Sequence, residues 1–145
     1  MAKINARLGD VEVKDYVPVT PARYVLKIAE VKESTKEGRQ NFNFEFQIDD
    51  GGELQGRKIY HNCAMNLKDG GTNEIGAGEF KRIAAAVLGI SKEEFGSYDW
   101  DSLDSDDLKL GRFEADVKIK PWTNPVKGTS GEGPVIVPHT IGPVS

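Results

Sequence analysis

Alternation of apolar and polar residues, which is typical of a half-buried β-strand, recurs in three stretches of this chain. The clearest is residues 41–48, whose apolar positions are Phe42, Phe44, Phe46 and Ile48. Residues 23–31 and 112–120 show the same period of two. We expect the apolar side of each strand to form the core. The alternative is that Phe42, Phe44 and Phe46 form an exposed aromatic stacking platform.

Two further strands complete the predicted sheet. Residues 57–65 follow the turn-forming sequence at 49–52, and a short fifth strand covers 135–137 between Pro134 and Pro138. We predict loops at 32–40 and 66–77, and a flexible loop at 121–134, because Pro121 ends the fourth strand and glycines follow it. Residues 1–20 are predicted to be an extended lead-in.

One segment follows the period of a helix rather than that of a strand. The apolar positions of residues 80–88 have the spacing of an amphipathic helix, and Gly89 is well placed to end it. A capping-box pattern at Ser91 predicts a short second helix. The order is three strands, a helix and two strands, which is the order of the OB fold, a five-stranded Greek-key barrel. We therefore predict a mainly β, OB-type barrel forming a single domain over residues 1–145.

Composition narrows the class of protein. Hydrophobic residues make up 38% and charged residues 29% of the 145 residues, which is typical of a globular protein. We find neither a membrane-spanning stretch nor a signal peptide, and the single cysteine, Cys63, fits a reducing compartment. We therefore expect a cytoplasmic protein. The net charge is −4, but aspartates crowd residues 99–107, so basic residues elsewhere can still share one face.

Few residues have the spacing of a catalytic or metal site. His61 and Cys63 share one face of the third strand and are a candidate ligand pair. We expect them instead to line the barrel interior or its edge, because no third ligand has suitable spacing and His139 is distant in sequence. The acidic block at 99–107 is a candidate site for a divalent cation, but it lacks the spacing of an EF-hand. We predict that it is a solvated, helix-capping or partner-facing surface. We expect no enzyme activity, no cofactor and no metal.

Candidate nucleic-acid contacts fall where OB proteins bind their ligands, which is across strands 2 and 3 and on the loops that join strands 1–2 and 4–5. Single-stranded DNA sites combine cations for phosphates with aromatic rings for bases. Each of these residues also has a structural alternative, either as part of the packed rim or as an ordinary solvated side chain. The candidate residues are Lys36, Arg39, Asn43, Arg57, Lys58, Tyr60, Lys118, Lys120, Trp122 and Lys127.

The chain resembles a group of phage-encoded single-stranded DNA-binding proteins over residues 16–120. The similar segments are YVPVTPARYVLKI at 16–28, NFNFEFQI at 41–48, LQGRKIY at 54–60, AVLG at 86–89 and LGRF at 110–113. The resemblance implies an OB-fold protein of a phage replication or recombination module. It also implies single-stranded DNA and other replication or recombination proteins as partners. Such proteins often recruit partners through an acidic C-terminal tail, whereas residues 140–145 carry no acid.

The sequence leaves two other functions open. A structural virion protein, such as a capsid-decorating or tail-associated β-domain, would suit the negative charge and the proline-edged termini. A small enzyme or enzyme inhibitor on an OB scaffold is the third alternative, because a fold does not determine a function. The sequence leaves the oligomeric state open.

Overall fold

The computed structural model describes residues 2–10 and 17–145, and its central feature is a five-stranded antiparallel sheet. The strands lie in the spatial order β3-β2-β1-β4-β5. Their bounds are β1 (Ala22–Lys36), β2 (Arg39–Ile48), β3 (Lys58–Ala64), β4 (Arg112–Asn124) and β5 (Thr129–Ile136). The helix α1 (Glu74–Leu88) connects β3 to β4. The prediction of a mainly β protein with a helix between strands 3 and 4 is confirmed.

The core lies between the inward side of the sheet and α1. Phe44 and Phe46 of β2 are almost completely buried, and so is Phe113 of β4. Phe80 and Ile83 of α1 pack against this layer, with the rings of Phe44 and Phe80 5.8 Å apart. The alternation therefore identified the core correctly, and the phenylalanines of β2 are not a surface for stacking bases.

The β1–β2 hairpin is longer than the sequence pattern indicated. We predicted a loop at residues 32–40, but β1 continues to Lys36, and only Glu37 and Gly38 separate it from β2. Both turn residues have positive φ, 55° and 76°, as a tight type I′ turn requires. The prediction was wrong because this arm extends beyond the core. The backbone hydrogen bonds of this arm need no apolar face, so its residues do not alternate between apolar and polar.

The β4–β5 hairpin also replaces a predicted loop. We predicted a flexible loop at 121–134 and a fifth strand at 135–137, but β4 passes through Pro121 to Asn124, and β5 begins at Thr129. Beyond Val117, β5 is the one strand among the described residues that pairs with β4. A proline that lacks an N–H is tolerated there, because no described residue pairs with the other edge of the strand and requires a donor from it.

The helix α1 begins earlier than its apolar spacing indicated. The loop predicted at 66–77 ends at Asn73, whose side chain accepts hydrogen bonds from the first backbone N–H groups of the helix. Gly76 lies against β3, where a Cβ atom would overlap the carbonyl oxygen of Ala64. The predicted end is confirmed, because Gly89 adopts the left-handed conformation with φ of 73°. The capping box at Ser91 is also confirmed, although the helix it begins is a 3₁₀ turn.

The predicted lead-in is described only in part, because residues 1 and 11–16 lie outside the described residues. Within it, Leu8–Asp10 forms a 3₁₀ turn rather than an extended segment. Val19 is buried in the core, and the guanidinium of Arg57 donates a hydrogen bond to the Val17 carbonyl. Among the described residues, no helix has the length and apolar character to cross a membrane.

Candidate nucleic-acid interface

The outer side of β2 and β3 presents a row of polar side chains and one exposed ring. Tyr60 is 64% exposed, because it alternates with the buried Ile59. Its hydroxyl lies 3.4 Å from a carboxylate oxygen of Glu45, and the same oxygen is 3.5 Å from Nζ of Lys58. Glu45 therefore places a negative charge between two predicted DNA contacts.

The other predicted contact on this face is Asn43. Its side-chain oxygen accepts a hydrogen bond from the amide of Asn62, which lies opposite on β3. Asn43 is exposed, and its amide NH₂ can donate to a base or a sugar. The pair thus orients two amides on the same surface as Tyr60.

A second exposed ring lies on the β4–β5 hairpin. Trp122 of β4 is opposite Gly131 of β5, and a Cβ atom at Gly131 would lie 2.7 Å from the indole. One side of the ring therefore rests on the backbone of β5. Because Trp122 is 49% exposed, much of its surface remains available to a planar ligand.

The predicted cations differ in their surroundings. Of these predicted contacts, Lys36, Lys118, Lys120 and Lys127 are exposed and form no ion pair with a described residue. Arg39, by contrast, pairs with Glu37 at 3.3 Å, and Lys58 pairs with Glu45. Arg57 is half-buried, and its guanidinium donates a hydrogen bond to the carbonyl of Val17 in the N-terminal segment. The lysines of the two hairpins are therefore better placed than the arginines to meet phosphates.

The two edges of the sheet approach one another. Cα atoms of β3 and β5 come within 8 Å. A cavity of about 320 Å³ lies where Arg57, at the start of β3, meets Gly133 and Pro134 of β5. This approach brings the strand that carries Tyr60 towards the hairpin that carries Trp122.

The acidic block is built into the connection between α1 and β4. Leu108 is fully buried, and the carboxylate of Asp104 caps the 3₁₀ helix Ser105–Leu108. Trp100 donates a hydrogen bond to the Phe95 carbonyl, and Nζ of Lys81 lies 4.6 Å from the centre of its ring. This segment therefore has a helix-capping role, as expected.

His61 and Cys63 share the inward side of β3, as predicted, but they are not alone there. Glu79 of α1 joins them, and one ligand atom from each of the three residues lies within 4.8 Å of the others. Sequence spacing did not identify this third residue, because Glu79 follows Cys63 by sixteen positions and lies on α1. His139 is exposed in the 3₁₀ turn Pro138–Thr140 and is not part of the cluster.

The cluster is poorly solvated, and this changes its protonation. Burial raises the pKa of the Cys63 thiol to about 12, and the Glu79 charge adds to the effect. Burial lowers the pKa of His61, although Glu79 opposes that shift. The Nε2 atom of His61 lies 3.3 Å from a Glu79 oxygen but has no aligned hydrogen-bond partner among the described residues.

Sequence reasoning missed three residues of these sites. Glu79 has a detectable signal, because it is a carboxylate beside Phe80 on the side of α1 that packs on the sheet. Glu45 and Gly131 have none, because their importance depends on the strand register that sets them opposite Tyr60 and Trp122. No known protein family matches the chain, and no curated protein is significantly similar to it.

Proposed function

We propose that this protein is an OB-type barrel that binds single-stranded DNA, coating exposed strands during phage replication or recombination. Two exposed aromatic rings on the solvent side of an otherwise polar sheet carry the proposal. Tyr60 and Trp122 lie on different hairpins and are 64% and 49% exposed. Large rings are costly to leave in water, and their exposure favours a planar ligand.

The strand order supports the OB assignment. In an OB barrel the first strand pairs with both the second and the fourth, and the sheet closes between the third and fifth. Here β1 pairs with β2 and β4, and the edge strands β3 and β5 approach within 8 Å. Barrel closure between these edges would form one continuous surface from Tyr60 to Trp122.

The charge distribution supports a single-stranded ligand. The part of the β4–β5 hairpin beyond Val117, residues 118–136, carries Lys118, Lys120 and Lys127 against one acid, Glu132, although the whole chain has a net charge of −4. The hairpin is therefore a local cationic arm on an acidic protein. Lysines without ion pairs lose little when they meet a phosphate, and binding releases counterions from the DNA.

Stacking on exposed rings favours low sequence specificity. Every base offers a π-face to Tyr60 and Trp122, and stacking contributes about 1–3 kcal/mol per base. Asn43 adds polar contacts to bases or sugars. We therefore expect a stoichiometric coating protein that makes no covalent change to its ligand.

The test is an anisotropy titration of labelled oligo-dT, with duplex DNA of equal length as the comparison. If four lysines each contact one phosphate, the logarithm of the association constant falls with log salt with a slope of about −3. Tyr60→Ala and Trp122→Ala each weaken binding about five- to hundredfold, as expected for one lost stacking contact. Tyr60→Phe, which keeps the ring, retains most of the affinity.

Lys92→Gln is the control for charge, because Lys92 lies in the 3₁₀ turn after α1, away from both hairpins. It should leave the salt slope unchanged, whereas Lys120→Gln should reduce its magnitude by about 0.7. Failure to bind oligo-dT at low salt, or equal affinity for duplex, contradicts the proposal. In that case, recovery of the protein in purified phage particles identifies it as a virion component.

A further inference from the structure

The cluster on the inward side of β3 is separate from the proposed DNA surface. His61 and Cys63 alternate with Tyr60 and Asn62, so they point towards α1 rather than towards solvent. Glu79 reaches them from the helix. We propose that His61, Cys63 and Glu79 form a mononuclear zinc site that joins α1 to β3.

The distances fit a metal ion after small side-chain movements. All three ligand atoms lie within 4.8 Å of one another. On a tetrahedral Zn²⁺, with bonds of about 2.0–2.3 Å, two ligand atoms are about 3.5 Å apart. Rotamer adjustments of about 1 Å therefore suffice to bring the atoms onto one ion. His61 Nε2 and Glu79 Oε2 are already 3.3 Å apart.

The donor set selects the metal. Imidazole nitrogen, thiolate sulfur and carboxylate oxygen together suit a borderline-soft ion such as Zn²⁺, whereas Mg²⁺ and Ca²⁺ prefer oxygen ligands alone. Three protein ligands leave the fourth position for water. On binding, the Cys63 thiol loses its proton to solvent as the Zn–S bond forms, so the reaction releases one proton per site.

A poorly satisfied nitrogen in the cluster also favours a ligand at this position. The Nε2 atom of His61 is buried, and its close polar neighbour, the Glu79 carboxylate at 3.3 Å, is not aligned to accept a hydrogen bond from it. A poorly satisfied buried nitrogen is costly. A metal bond to Nε2 removes this cost. The side chains of His61 and Glu79 retain 15% and 21% exposure, so an ion and its water can enter from the surface.

The surrounding packing orients the ligands. The ring of Phe46 stacks on the His61 imidazole with centroids 6.4 Å apart. The contact of Gly76 with Ala64 holds the helix close to β3, one turn before Glu79. A larger residue at position 76 would move Glu79 away from the cluster. The same strand carries Tyr60 on its other side, so zinc would also stiffen the proposed DNA surface.

Cobalt spectroscopy on the full, tag-free chain tests the site. The chain is stripped with chelator, kept reduced with a phosphine, and titrated with Co²⁺. We expect one Co²⁺ per chain, with tetrahedral visible bands and a thiolate-to-cobalt charge-transfer band, both displaced by Zn²⁺. Free Zn²⁺ at about 100 times the dissociation constant should raise Tm by about 5–10 °C.

The variants distinguish this site from adventitious binding. Cys63→Ser should abolish the charge-transfer band, and Glu79→Gln should weaken Zn²⁺ binding at least about tenfold. Glu74→Gln on the same helix and His139→Gln are the matched controls. They should change neither the charge-transfer band nor the Zn²⁺ affinity. Circular dichroism checks that each variant folds. If Cys63→Ser does not fold, the Zn²⁺ affinities of Glu79→Gln and His61→Gln test the site instead.

Two results overturn the zinc site. One is the absence of a charge-transfer band in the parent chain, and the other is metal affinity that Glu79→Gln leaves unchanged. Neither depends on DNA, so the zinc site and the proposed DNA binding succeed or fail separately.

Discussion

The indole of Trp122 rests on Gly131 so closely that a Cβ atom at position 131 would lie 2.7 Å from the ring. We therefore predict that Gly131→Ala displaces the ring from the hairpin surface and weakens oligo-dT binding about five-fold or more, because a displaced ring loses its stacking contact. Anisotropy measures the affinity. Tryptophan fluorescence in a Trp100→Phe background reports a change in the surroundings of the Trp122 ring.

Gly133→Ala is the matched control, because a Cβ atom at Gly133 would lie 3.9 Å from the same ring, in ordinary contact. It should change neither the fluorescence nor the affinity. If Gly131→Ala and Gly133→Ala behave alike, the packing of Trp122 on β5 does not determine DNA binding.

The charge of Glu45 leads to a second prediction, a gain of affinity. Its carboxylate lies 3.5 Å from Nζ of Lys58 and 3.4 Å from the hydroxyl of Tyr60. Glu45→Gln frees Lys58 for a phosphate and removes repulsion of the DNA backbone. We expect oligo-dT to bind up to about five-fold more tightly, with the magnitude of the salt slope increased by about 0.7.

Glu93→Gln provides the comparison, because it removes an equal charge from the 3₁₀ turn beyond α1. It should leave both the affinity and the salt slope almost unchanged. An equal gain in both variants would mean that only the net charge matters, and a loss of affinity in Glu45→Gln would place the DNA elsewhere.

The core was predictable from the sequence, because burial imposes a period of two on a strand. Phe44 and Phe113 occupy buried positions of such patterns, and both are fully inside. The hairpin arms were not predictable in this way. Residues 32–36 pair with β2 through backbone hydrogen bonds, beyond the reach of the core, so nothing selects apolar residues there.

The candidate sites depend more strongly on the tertiary structure. His61 and Cys63 are two residues apart, and their common side was evident from the sequence. Glu79 follows Cys63 by sixteen positions, and it meets the pair only because Gly76 allows α1 to approach Ala64. The spacing along α1 places Glu79 on the side that packs on the sheet, but which strand residues it meets is set by the packing of the helix.

The turn between β2 and β3 yields a prediction about pH. The side-chain amide of Gln55 donates to Asp49 at 2.9 Å, and Arg112 lies 2.9 Å from the other carboxylate oxygen. The hydrogen bond from Gln55 is the largest cause that lowers the pKa of Asp49, and the Arg112 charge adds to it. Gln55→Ala should raise the pKa of Asp49 towards its ordinary value of 3.8.

The sign of the linkage follows from this direction. Because the pKa of Asp49 is lower in the folded chain, its stabilising contribution is present above pH 3.8 and is lost as the pH falls below that value. NMR titration of the Asp49 carboxyl carbon measures the shift. Gln47→Ala on β2 is the control and should leave the titration unchanged. An unaltered curve in Gln55→Ala would assign the shift to Arg112 instead.

Two glycines of α1 give a last pair of predictions with opposite signs. A Cβ atom at Gly76 would overlap the backbone oxygen of Ala64, whereas one at Gly78 would meet nothing within 4 Å. Gly76→Ala should therefore lower the free energy of unfolding by about 1–3 kcal/mol through overpacking. Gly78→Ala should raise it by up to about 1 kcal/mol, because alanine favours the helix. Urea denaturation measures both.

The same pair of variants tests the geometry of the metal cluster. Moving α1 away from β3 separates Glu79 from His61 and Cys63, so Gly76→Ala should weaken Co²⁺ binding as well as stability. Gly78→Ala leaves the packing against β3 intact and should bind Co²⁺ as the parent chain does. If Gly76→Ala destabilises the fold but keeps full Co²⁺ affinity, the close contact at Ala64 is needed for packing alone and does not position Glu79.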